Sequence, residues 1–108
     1  MIARIWHGWA RGENAERYEA HLRAEILPGI HRIEGYAGAY LLRREAGGEV
    51  EFVTVTLWES VDAVRDFAGE DHEAAVVPPE ARELLDRFDE RSVHYEIRAE
   101  PGGRAAFD

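Results

Sequence analysis

The stretch Val50 to His72, VEFVTVTLWESVDAVRDFAGEDH, decides the fold. Val50 to Trp58 is rich in the β-branched and aromatic residues that suit a strand. A Trp-Glu-Ser junction follows, then a short amphipathic segment from Val61. Ser60 is a natural helix N-cap, Val61, Val64 and Ala68 form one stripe, and Gly69 suits the left-handed stop. A strand that feeds directly into a capped helix is half of a strand-helix-strand unit. Residues 2 to 45 show the same layout.

Working outward, Ile2 to Trp9 reads as a first strand, apolar on both faces apart from Arg4 and His7. Gly12-Glu13-Asn14 opens a helix with Ala15, Tyr18, Leu22 and Ile26 at helical spacing. Pro28-Gly29 predicts an interruption, with Ile30 and Ile33 in one further turn before Gly35. Tyr36 to Glu45 is a second strand, joined through Ala46-Gly47-Gly48-Glu49 to the third as a hairpin. Past an acidic bridge (Glu70, Asp71, Glu73), Pro78-Pro79 predicts a helix through Phe88, striped by Ala81, Leu84, Leu85 and Phe88. Arg91 to Arg98 alternates as a last strand, with Val93, Tyr95 and Ile97 on one face. The expected domain is residues 1–98, with a tail over 99–108.

The order β-α-β-β-α-(α)-β predicts a ferredoxin-like α+β fold: a four-stranded antiparallel sheet with helices on one face. Its other face needs cover as well. Ile5 and Trp6, Tyr40 and Leu41, Val53 and Thr54, Leu57 and Trp58 make the first three strands apolar on both sides. Sheet-to-sheet pairing into a homodimer is the simplest solution.

Composition narrows the chemistry by what is missing. The 108 residues contain no Cys, which removes disulfides, thiolate metal sites and cysteine nucleophiles. They contain no Lys either: all 13 basic residues are Arg, so no Schiff base forms. Ser60 and Ser92 are the only serines, leaving a Ser-His-Asp hydrolase almost no nucleophile. The net charge of −9 opposes binding to nucleic acid or to an anionic membrane surface. No apolar run approaches the ~20 residues of a membrane span, and the N-terminus lacks the pattern of a signal peptide. A cytoplasmic location is the default expectation. Phosphate-binding glycine motifs are absent, and neither a flavin nor a nicotinamide site has support, so no cofactor is expected.

With those motifs in place, residues 2 to 98 resemble the antibiotic-biosynthesis-monooxygenase-like domains of the dimeric α+β barrel superfamily. The resemblance rests on Glu34-Gly35-Tyr36-Ala37-Gly38 entering the second strand and Leu57-Trp58-Glu59-Ser60 ending the third. The second-helix stripe through Phe67 and the following His72 also fit. It implies a dimeric barrel and three activities found among members: cofactor-independent oxygenation of polyphenolic polyketides, haem degradation, or none known. The haem-degrading branch uses an Asn on the first strand, a Trp in the second helix and a His about ten residues on. Here those positions fall at Trp6 or His7, at Phe67, and near Val76 or Val77, so none of the three is met. The oxygenase branch implies a pocket for a flat phenolic substrate, with groups that steady an enolate-like carbanion.

Trp6, Trp9, Trp58, Tyr36 and Tyr40 are the candidate walls of such a pocket; Arg4, His7 and His94 are its candidate catalytic groups. Adjacent antiparallel first and last strands bring His7 and His94 close along the sheet. They pair on one face only in a register that puts Arg4 with Trp6, Val93, Tyr95 and Ile97. The alternative is two histidines satisfied by backbone or carboxylate. A buried Arg4 demands an acidic side chain or an anionic ligand. Trp58 serves equally as core, and Tyr36 and Tyr40, placed on the same side of their strand, equally as dimer contacts. His72, after the second helix, is expected in an exposed loop away from His7 and His94, with ligand contact as the other reading. His21 reads as a solvated pair with Glu25. No metal site is expected. The leading function is a cofactor-independent monooxygenase acting on a small planar aromatic metabolite. The alternative is a non-catalytic or stress-associated domain binding a small apolar or haem-like ligand.

Overall fold

The computed structural model describes residues 1–99. The expected tail therefore lies, from residue 100 on, outside the described residues. Strand β1 (Ile2–Ala10) leads into α1 (Glu13–His21), which continues through one π turn (Leu22–Ile26) into α2 (Leu27–Ile30). Strands β2 (Tyr36–Ala46) and β3 (Glu49–Trp58) follow, then α3 (Val61–Ala68), α4 (Pro79–Leu84), β4 (Arg87–Phe88) and β5 (Val93–Glu96). The sheet is antiparallel with β1 and β3 central, β2 on one edge, and β4 and β5 sharing the other edge of β1.

Three local features carry out the sequence's instructions. Ser60 caps α3, its hydroxyl accepting from Ala63 N at 3.2 Å. Gly47 and Gly48 both take positive φ (61° and 86°), as a two-residue hairpin turn requires. Gly35 (φ 89°) lets its loop press on α3, where a Cβ would meet Ala63 Cβ at 2.5 Å. The same loop bonds the third strand's end, Glu59 N to Gly35 O at 2.8 Å. The two sequence motifs that marked the resemblance are thus in contact.

Pro28 does not interrupt the first helix. The π turn before it shifts the backbone bonding, with Leu27 N–H reaching Leu22 O, and so relieves the strain a proline imposes on the preceding turn. The last helix is shorter than its stripe predicts. Leu85 is extended, Asp86 N bonds Trp9 O at 2.7 Å, and Phe88 is a strand residue. The exposed edge of β1 at Gly8 and Trp9 needs partners, and that demand overrides the helical periodicity. The last strand also contracts, to Val93–Glu96.

Register assigns the two faces. Across the strands, Ile2 opposes Trp58, Arg4 opposes both Thr56 and His94, and Trp6 opposes Thr54. These residues face the helices. Ile5, Val55, Tyr40 and Val93 form a row on the opposite face. There Tyr40, Leu42, Val93 and Tyr95 remain exposed, Tyr40 at 60% and Tyr95 at 56%. Under the helices, one buried cluster gathers Tyr18, Leu22, Phe52 and Leu85, and a second gathers Ile30, Trp58, Ala63 and Val64. Ile26 packs against both.

Candidate functional site

A cavity of about 60 Å³ opens where these two clusters meet. The sheet contributes Arg4, Trp6, Thr54 and Thr56; the long first helix contributes Tyr18, Leu22, Ile26 and Ile30. Phe67 of α3, Val76 to Pro78, Ala81 and Ser92 complete it. Such a volume holds roughly four waters. It is well below the ~300 Å³ of common drug-sized sites, so a ligand of several rings must part helix from sheet. Trp6 lies flat along the strand because position 8 is glycine, where a Cβ would stand 2.9 Å from the indole. The Trp6 indole N–H is held by Asp89 O at 2.7 Å.

Arg4 is the charged group of this cavity and is only 4% exposed. Its Nη1 donates to the His72 carbonyl and, at 3.0 Å, to His94 Nε2; its Nη2 donates to Ala74 O at 2.8 Å. The guanidinium also lies over the Phe67 ring, 5.5 Å from its centroid. Among the described residues no carboxylate pairs with it. Burial lowers Arg4 to about 10, which leaves it charged at neutral pH. Burial first, then the charges of Arg4 and His72, lower His94 from its usual 6.5 to about 4, so it is neutral there. A neutral His94 accepting from Arg4 orients the guanidinium and carries its own proton on Nδ1.

Two hydroxyls add to this. Among the described residues neither the Oγ of Ser92, which is 2% exposed, nor Thr54 Oγ1 has a hydrogen-bond partner. Both line the cavity. Buried polar atoms are nearly always satisfied, so two orphans on one cavity wall mark a place for a ligand or water. Thr56 is occupied, accepting from Trp58 Nε1 at 2.8 Å.

The candidate residues divide between the two faces. Arg4 and Trp6 line the cavity, and His94 supports Arg4 from behind. Trp58, 0% exposed, is a core residue stacked on Phe67 (centroids 5.3 Å apart) and edge-on to Tyr36 (5.5 Å). His7 and His94 are not a pair: Arg4, not His7, opposes His94, and three residues along a strand reverse the face. His7 instead bonds Asp89 Oδ2 through Nδ1 at 2.8 Å and stacks on Trp9. Val93 and Tyr95 accordingly face away from Arg4. Trp9, with Arg87 3.9 Å above its ring, belongs to the same far side.

Tyr36 and Tyr40 also part company. A β-bulge between Tyr36 and Gly38 inserts one residue, so Tyr36 packs on Trp58 while Tyr40 faces outward. His72 moves the other way. The loop after α3 folds back along β5 and sets its ring 5.0 Å from that of His94. His21 is not a solvated partner of Glu25 but turns toward Glu80 of α4 at 3.5 Å.

His72, Glu73 and His94 bring possible metal-ligand atoms within 4.8 Å of one another. The donor set suits a transition metal, yet the Arg4 guanidinium against His94 places a positive charge beside it. Sequence reasoning overlooked Thr54, Phe67 and Ser92 as wall residues. The available signal was Thr54 and Thr56 spaced two apart between Phe52 and Trp58, which sets hydroxyls on a buried face.

Comparison with known proteins places this architecture. No curated protein sequence matches the chain. A cofactor-independent oxygenase from Streptomyces nogalater is similar in structure, with 18% identity, TM-score 0.67, and 94% of this chain and 97% of that one covered. A haem degrader from Mycobacterium tuberculosis, holding two haems in its active site, has 19% identity, TM-score 0.60, and coverage of 93% and 98%. A monooxygenase from Streptomyces coelicolor in complex with nanaomycin D has 15% identity, TM-score 0.60, and coverage of 92% and 88%. At these identities the likeness establishes the shared fold. The family model for antibiotic biosynthesis monooxygenase matches residues 1–78, most of the chain, and the protein belongs to that family.

Proposed function

We propose that the protein is a small cofactor-independent oxygenase whose substrate is a planar aromatic anion bound between sheet and helices. The observation that carries this reading is Arg4: a buried cation without a counter-charge among the described residues, set in a mostly apolar cavity beside Trp6 and Phe67. Negative charge developing on a bound ring is worth most where water is excluded and a fixed cation waits. For an anthrone, the overall change converts a ring CH2 and one O2 into a ring carbonyl and one water. The substrate enters as an anion, its CH2 proton already given up to solvent; Arg4 holds that negative charge, and His94 positions Arg4.

No residue lining the cavity is a carboxylate or an imidazole. The substrate must therefore be acidic enough to arrive ionised. That same observation favours a second reading, a protein that binds an aromatic anion without turning it over. Oxygen consumption with anthrone as probe separates the two. The first reading expects uptake of one O2 per anthraquinone formed, reduced about 100-fold in Arg4→Gln, the scale of losing one charge-stabilising donor. Saturable binding with no uptake leaves only the second. We also propose that two copies pair through the apolar sheet face carrying Tyr40, Leu42, Val93 and Tyr95.

A further inference from the structure

We infer that the anion recognised in this cavity is a carboxylate, held on the unused donors of Arg4 together with the Ser92 and Thr54 hydroxyls. The inference rests on the cavity being a ligand site and belongs with the binding reading, because a carboxylate takes the single positive charge that an anthrone anion needs.

Counting donors leads to it. A guanidinium carries five N–H groups. Three are taken: two on Nη1, by His72 O and His94 Nε2, and one on Nη2, by Ala74 O. Nε–H and the second Nη2–H are left without partners among the described residues. Two donors in the plane of one group suit two oxygens in one plane, the arrangement a carboxylate presents. The contacts already made fix the guanidinium from the His94 side, so little side-chain entropy remains to be lost on binding.

The hydroxyls support the same group. Thr54 opposes Trp6 on β3, one row from the Arg4–Thr56 pair, and Ser92 immediately precedes β5 on the other side of β1. Their oxygens, without partners among the described residues, thus stand on either side of the Trp6 row, next to that of Arg4, and each has an O–H to donate. The charge also balances. One cation offsets one negative charge, whereas a phosphate dianion would leave a net negative charge in apolar surroundings. The ring of the ligand then lies against Trp6 and Phe67.

Benzoate and benzamide are nearly the same shape and differ in charge, so they test this directly. Titrated into the full-length protein and followed by NMR, benzoate is expected to bind at least about tenfold more tightly than benzamide, the worth of one charge-assisted hydrogen bond. Arg4→Gln is expected to bring the two affinities together. Ser92→Ala, a milder change that keeps the test alive should Arg4→Gln fail to fold, is expected to weaken benzoate more than benzamide. Equal affinities in the wild-type protein would overturn the carboxylate assignment and leave the ligand cavity standing. Absence of binding by either would overturn both.

Discussion

The two faces of one sheet are built to different rules. The face under the helices carries the large buried side chains Trp58 and Phe52, with Tyr18 of α1 packed on the latter, yet it also holds Arg4, Thr54 and Thr56, with Ser92 at its edge. The far face has simpler chemistry, a row of Val, Leu, Ile and Tyr with its charged groups gathered around Trp9, Glu51 and Arg87, and it remains open. A buried polar group costs stability unless it is satisfied, so polar residues retained inside imply a use. An apolar group left outside implies a partner. In the proposed reading the inner face holds a small molecule and the outer face takes a second copy.

Each face can be attacked separately. The largest effect is expected from Trp58→Ala, which empties the centre of the second cluster. It should cost about 3–5 kcal/mol in urea unfolding, while Tyr40→Ala in dilute, monomeric protein should cost under about 0.5 kcal/mol. Comparable losses from both would erase the distinction between the faces. Next, Leu42→Asp on the open face should weaken self-association by about 2 kcal/mol or more, read by light scattering across a dilution series. An unchanged mass at every concentration would remove the proposed dimer.

A pH effect sharpens the inner face. His94 binds a proton less readily in the folded chain, near 4, than in the unfolded chain, near 6.5. Between those values the unfolded state carries the extra proton, so stability is complete above 6.5 and falls as the pH drops toward 4. The slope is at most about 1.4 kcal/mol per pH unit, and lower because solvent screens a partly exposed ring. Replacing His94 with Gln should flatten that part of the pH–stability curve, and an unaltered slope would count against a neutral, Arg4-bound His94. A smaller loss, about 1 kcal/mol, is expected from Ser60→Ala, which removes the α3 cap, measurable in the same unfolding experiment.

Most of the strand-helix rhythm was legible because local rules govern it, the exceptions being the helix that runs through Pro28 and the strand that claims Phe88. Ser60, Gly69 and the Gly47-Gly48 turn act within a few residues, and each does what its chemistry predicts. The placement of side chains on the two faces was legible only in part, because register is set between strands. One extra residue at the bulge sends Tyr36 and Tyr40 to opposite sides. A three-residue offset separates His7 from His94. The fold-back that joins His72 to His94 is held by long-range contacts with no local signal: Arg4 bonding the carbonyls of His72 and Ala74, and backbone bonds from the same loop to Glu90 and Ser92. Arg4 itself was legible, since a cation in an apolar strand requires a partner. That its partners would be carbonyls and a neutral imidazole was not.

The central claim is that ligand binds on the helix side of the sheet, and the three tryptophans report on it directly. Trp6 lines the cavity, Trp58 lies behind Phe67, and Trp9 sits on the far face. In a 15N-edited NMR titration with benzoate, the Trp6 indole signal is expected to move first and furthest. Trp58 should follow weakly and Trp9 should stay in place. A shift confined to Trp9, with Trp6 unmoved, would contradict it.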